Sequence, residues 1–234
     1  MKPGLQLVRD PIKWALFEIG AGYYTRKLAT GPEADLRQDF VEWLDLPQSK
    51  RSDGARSILD VGCGPGHVTR ALARRGHALT GVDRSPRLVR IAKRWTRREG
   101  LSIRFERSPG EKLPFKDRTF DGAFTTGVIY FVEHPLRTLR EMVRVIRPGG
   151  FIASLDPHES MSTSLARDYS RESRLSRRDT RKLVTWAITA EMNRRFKEED
   201  LRALLAKAGL SNVTLERRMG GMVWFSRGVV TGRA

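Results

Sequence analysis

The stretch "ILDVGCGPGHVTRALARRGHALTGVD", Ile58 to Asp83, constrains the fold of this chain more than any other. Gly62, Gly64 and Gly66 stand at alternate positions between an apolar run and a helical pattern, and a second apolar run ends on the acid Asp83. A strand that ends in glycines before a helix brings backbone N–H groups and the positive end of the helix dipole to the carboxyl edge of a sheet. A ligand's polar or anionic group belongs there. The spacing departs from the dinucleotide fingerprint G-x-G-x-x-G, because His67 stands where the third glycine should be. No G-x-x-x-x-G-K-[ST] occurs either, so this is not a nucleoside triphosphate loop.

Apolar runs and helical patterns alternate from Ser57 onward. They predict strands at 58–61, 78–82, 102–107, 120–125 and 150–155, with helices at 66–75, 86–98 and 135–146. This alternation predicts an α/β fold, a doubly wound and mostly parallel sheet with helices on both faces. Ser85-Pro86 reads as an N-cap followed by Pro in the first turn, and Pro148-Gly149-Gly150 reads as a helix stop. Later, "FKEEDLRALLAKAGL" predicts a helix ended by Gly209, and strands at 212–218 and 222–230 flank Gly220-Gly221 as an antiparallel hairpin. Residues 12–46 show helical spacing around Gly20-Ala21-Gly22 and predict a helical lid over 1–46, ahead of a main domain over 47–234.

Asp60-x-Gly62-x-Gly64-x-Gly66 resembles motif I of the class I S-adenosylmethionine-dependent methyltransferases. Asp83 in "LTGVDRSP" matches that family's ribose-binding acid, and Leu113 to Gly150 is similar to its fourth strand, following helix and glycine turn. The resemblance covers roughly residues 57–218 and implies a Rossmann-like, seven-stranded sheet with S-adenosyl-L-methionine as cofactor. In that reading Gly62 and Gly64 let the methionine moiety approach the backbone, Asp60 orients its ammonium, and Asp83 accepts from both ribose hydroxyls. Cys63, Gly66 and Arg84 in the same loops, and Thr126 at the end of the fourth strand, complete the expected cofactor shell. Where relatives often carry an acid before "LPF", this chain has "SPGEKLPF", which moves the adenine contact to Ser108 or to the Gly110-Glu111 backbone. Tyr130 in "VIYFVEHP" stands where many relatives have a His.

Methyl transfer from a sulfonium is an in-line displacement with a good leaving group, so alignment supplies much of the acceleration and the cofactor motif alone leaves the acceptor open. The single cysteine, Cys63, lies in the glycine loop, which argues against a thiolate-dependent cytosine mechanism and excludes a multi-cysteine arsenite site. The fourth strand ends in "FTTGVIY" rather than the Asn/Asp-Pro-Pro-Tyr/Phe of base amino-methyltransferases. A small-molecule or lipid acceptor remains, methylated at O, N or C. By resemblance its pocket is built from the N-terminal segment and an insertion at 157–195, with Tyr23, Tyr130 and His158 as the candidate catalytic side chains.

The net charge of +17 and the arginine-rich "RDYSRESRLSRRDTRK" leave two other partners open: an anionic acceptor or membrane surface, and RNA. A non-catalytic S-adenosylmethionine-binding regulator is the third alternative. One cysteine, no apolar run long enough to span a bilayer, and charges at Asp10, Lys13 and Glu18 read as a cytoplasmic protein without disulfides. His67, His77, His134 and His158 lack metal-ligand spacing, so no metal site is expected.

Overall fold

The computed structural model describes residues 22, 25, 29–46 and 56–232. Seven strands form one sheet in the order β3-β2-β1-β4-β5-β7-β6: β1 (Ser57–Val61), β2 (Ala78–Asp83), β3 (Arg104–Arg107), β4 (Phe120–Thr126), β5 (Ile146–Pro157), β6 (Leu210–Arg218) and β7 (Val223–Val230). The first five run parallel, and β7 lies antiparallel between β5 and β6. The order reverses between β1 and β4, which places the glycine loop after β1 at the switch point of an open sheet. This is the Rossmann-like architecture expected, including the C-terminal hairpin.

Seven helices are described: α1 (Pro32–Trp43), α2 (His67–Arg74), α3 (Pro86–Arg98), α4 (Pro135–Val145), α5 (Thr163–Glu172), α6 (Arg177–Glu191) and α7 (Glu198–Ala208). The expected bounds of α3 hold at both ends, because Ser85 Oγ accepts from Leu88 N at 3.0 Å and Pro86 opens the first turn. Strand β5 is longer than expected. Pro148-Gly149-Gly150 does not separate helix from strand; instead Phe120 pairs with Ile146, and a register shift carries the strand past the glycines until Gly122 faces Phe151.

Each face of the sheet buries its own core. On one side α1, α2 and α6 cover Ile58, Phe124, Leu155 and Phe225; on the other α4 and α7 cover Leu59, Val61, Ile152 and Trp224. Phe40 of α1 meets Phe225 edge-on at 5.1 Å and Phe124 at 6.2 Å. Each such fully buried side chain contributes about 1.5–3 kcal/mol, so α1 is bound into the core. Its start is tied to α6 as well: the buried Lys182 Nζ donates to Thr30 O, Thr30 Oγ1 and Asp179 Oδ1, each at 2.9 Å. Residues 1–21, 23, 24 and 26–28 of the expected lid, Tyr23 among them, lie outside the described residues. Among the described residues no helix is long and apolar enough to cross a membrane.

Candidate functional site

The loop after β1 is built from three left-handed glycines, and only one opens onto empty space. Gly64, at φ +54°, has nothing within 4 Å of where a Cβ would stand. A side chain at Gly62 would collide with Val128 of the loop after β4, and one at Gly66 would press on the Phe105 ring at 3.2 Å. Gly62 therefore makes room for a protein loop, which corrects the expectation that it makes room for ligand. Gly64 forms the open cradle. Cys63 sits between β2 and α3 with Val89, Ala92 and Phe105, and burial raises its thiol far above the ordinary range, so it acts as a packing residue.

Asp83 organises the loop from the end of β2. Its Oδ2 accepts from Gly64 N and its Oδ1 from Ser85 N, both at 2.8 Å. A carboxylate offers roughly four acceptor positions, more than the bonds from Gly64 N and Ser85 N use, and paired ribose hydroxyls are a matching pair of donors. Asp60, at the end of β1, is fully buried. Thr69 Oγ1 donates to its Oδ2 at 2.5 Å, while Oδ1 has no hydrogen-bond partner. Burial outweighs the Thr69 bond, and with the negative charge of Asp83 nearby the Asp60 pKa rises to about 7. An unpaired carboxylate oxygen beside an open glycine cradle suits the ammonium of a methionine moiety, so these residues fit the cofactor.

The adenine side differs from the expectation. Ser108 Oγ points into its own loop, donating toward Lys112 O (2.7 Å) and Pro109 O (3.1 Å). Ser108 N donates to Asp83 O at 3.1 Å and thereby ties the loop to β2. A Cβ at Gly110 would crowd Thr138 and Val61. The side chain of Glu111 lines a groove of about 500 Å³ with Arg137, Arg140 and Arg144, which reaches the amino end of β5, the edge opposite the glycine loop. Arg84 follows Asp83, and its carbonyl accepts from Arg107 Nε at 3.4 Å.

Thr126 and Tyr130 come together on the other side of the switch point. They line a cavity of about 100 Å³ with Glu33, Leu36 and Arg37 of α1, Gly127 and Leu155, and Trp186 and Thr189 of α6. The cavity opens where β4 and β5 end, and Gly127 N fastens that rim by donating to Leu155 O at 2.8 Å. His158 is not among its lining residues. Its ring packs on Trp224 with centroids 4.9 Å apart, and its Nδ1 accepts from Ser160 N at 2.9 Å, which places the neutral ring's proton on Nε2. Burial, then the charge of Arg217, lowers its pKa. His158 is thus absent from the residues that line this cavity with Tyr130.

Two acids escape the sequence reading. Asp156 is completely buried at the end of β5; its Oδ1 accepts from Tyr130 N at 3.2 Å, its Oδ2 has no partner, and burial raises its pKa to about 6. Glu33 lines the cavity with its Oε1 buried and unpaired. Only the general rule that helices start with acids marks Glu33 in the sequence, and that rule gives it a capping role.

Comparison with known proteins agrees with this geometry. A profile described as a methyltransferase domain matches residues 59–154. An uncharacterized methyltransferase of Mycobacterium sp. (strain JLS) is 37% identical over 120 residues, which cover 51% of this chain and 46% of that protein. The chain thus spans about half the length of that relative. The ubiquinone/menaquinone biosynthesis C-methyltransferase UbiE of Pseudomonas paraeruginosa is 29% identical over 191 residues, covering 75% of this chain and 74% of its own. Among solved structures, a Thermotoga maritima S-adenosylmethionine-dependent methyltransferase, described as a possible histamine N-methyltransferase, superposes with a TM-score of 0.59 at 23% identity. That match covers 92% of this chain and 98% of the other. Residues 59–154 thus carry a methyltransferase domain, and the strand order is the Rossmann-like fold that the chain shares with solved S-adenosylmethionine-dependent methyltransferases.

Proposed function

We propose that this chain transfers the methyl group of S-adenosylmethionine to a small-molecule or lipid-like acceptor whose reacting end enters the cavity between α1, α6 and the ends of β4 and β5. The observation that carries the reading is adjacency: the cradle at Gly64, Asp60 and Asp83 stands on one side of the sheet's switch point, and a partly apolar cavity on the other. The bound cofactor supplies an electrophilic methyl carbon on a positively charged sulfur. Asp60 holds the ammonium, Asp83 holds the ribose hydroxyls, and the Gly64 backbone lies against the ligand. Leu36, Leu155 and Trp186 exclude water and align the acceptor, and Asp156 fixes the Tyr130 loop through the backbone bond at 3.2 Å.

At about 100 Å³ the cavity holds the reacting end of an acceptor and not an extended molecule. Ile188 and Met192 are exposed on the helix that supplies Trp186 and Thr189 and just past its end, and they offer apolar surface to the remainder. The likeness to a ubiquinone/menaquinone biosynthesis C-methyltransferase supports a small-molecule or lipid-like acceptor.

The test is incubation of the chain with methyl-labelled S-adenosylmethionine and, in separate reactions, an organic-extractable metabolite fraction and total RNA. Label that partitions into the organic phase supports the proposal. Label confined to RNA, with salt-sensitive RNA binding, replaces it with RNA methylation.

A further inference from the structure

We infer that Glu33 selects the acceptor: its carboxylate takes a hydrogen bond from a hydroxyl or N–H group on the acceptor's reacting end, so the cavity admits phenol-like, alcohol-like or amine-like groups and turns away carboxylates and phosphates. The inference deepens the proposed function and rests on it. Glu33 is only 7% exposed although it stands in the first turn of α1. Its neighbour Asp35, in the same turn, meets the helix dipole's preference for an acid while less buried.

Burying Glu33 therefore needs another reason. Its Oε2 lies 3.5 Å from Arg37 Nη2, while Arg37 Nη1 donates to Glu33 O at 2.7 Å. The guanidinium is thus turned back onto the turn that carries Glu33 and is engaged there. Oε1 receives no hydrogen bond, whereas the large majority of buried polar side-chain atoms have a partner. An acceptor hydroxyl or amine in the cavity would supply the missing donor, and the apolar walls of Leu36, Leu155 and Trp186 would strengthen that bond by keeping water out. An anionic group would instead meet the Glu33 carboxylate, while Arg37, which also lines the cavity, is already paired with Glu33.

The test uses the full chain and simple aromatic probes. The protein is first titrated with S-adenosylhomocysteine and then, saturated with it, with phenol, aniline, anisole and benzoate, followed by saturation-transfer NMR. Phenol and aniline are expected to bind about tenfold or more tightly than anisole, with no saturable binding of benzoate, because anisole keeps the ring and removes the donor. Glu33→Gln should reduce that ratio severalfold while leaving S-adenosylhomocysteine affinity unchanged. Equal affinities of phenol and anisole in the wild type, absence of saturable phenol binding, or an unaltered ratio in Glu33→Gln would each overturn the role of Glu33. Failure of S-adenosylhomocysteine to bind in the first titration would instead overturn the methyltransferase reading.

Discussion

Replacing Asp60 by Asn should change how stability depends on pH by an amount the structure sets. Burial is the largest influence on this carboxyl and lifts its pKa from an ordinary 3.8 to about 7, against the opposing bond from Thr69. Between those values the folded chain keeps a proton that the unfolded chain has released. The wild type therefore loses about 1.4 kcal/mol of stability per pH unit as pH rises through this window. The difference of about 3 units amounts to about 4 kcal/mol, absent below pH 4 and present in full above pH 7. The amide introduced by Asp60→Asn does not titrate, so the unfolding free energy of the variant minus that of the wild type should grow in favour of the variant from pH 5 to pH 7 and then level off. Urea unfolding at pH 5, 6, 7 and 8, monitored by tryptophan fluorescence on ligand-free protein, reads this difference. The slope is diagnostic, since any fixed cost of the new amide shifts both ends equally. Parallel pH profiles for the two proteins would refute the argument. With the ligand ammonium held by Asp60, adenosyl-ligand affinity should also fall as pH drops below 7, by up to tenfold per unit, and Asp60→Asn should flatten that fall.

Further substitutions separate cradle from scaffold. Gly64→Ala should remain folded, losing about 1 kcal/mol to the left-handed backbone, while S-adenosylhomocysteine affinity drops at least tenfold in calorimetry, because the new methyl enters the open cradle. Gly62→Ala should instead lower Tm through the clash with Val128, by about 1–3 kcal/mol in denaturant unfolding, and Val128→Ala should restore part of that loss. Asp83→Asn can accept from only one of the two N–H groups of Gly64 and Ser85, so it should cost about 1–3 kcal/mol of stability and weaken S-adenosylhomocysteine binding as well; intact binding would refute the ribose role.

The sheet is legible in the sequence because local signals and tertiary structure agree. Ser85-Pro86 encodes the start of α3 by itself, and Gly209, at φ +101°, encodes the end of α7. The start of β5 is not legible, because Pro-Gly-Gly is a sound local stop signal, whereas the pairing of Ile146 with Phe120 is a long-range fact. The glycine motif is legible as a ligand loop but not in its division of labour, since the contact of Gly62 with Val128 joins residues from different loops. Histidine is the usual proton carrier, and that draws a sequence reading to His158. Asp156, two residues earlier, reads as a polar strand end until the neighbouring strand and the Tyr130 loop close over it. Glu33 is hidden for the same reason, since its burial depends on α6, which lies far away in sequence.

The most direct measurement is calorimetric titration of ligand-stripped protein with S-adenosylhomocysteine, S-adenosylmethionine and NAD at about pH 8.5, above the range in which Asp60 titrates. Saturable binding of both adenosyl ligands, with no heat from NAD, is the predicted result. NAD binding, or silence from both adenosyl ligands, would contradict the assignment of Asp60, Gly64 and Asp83 as a methyl-donor site.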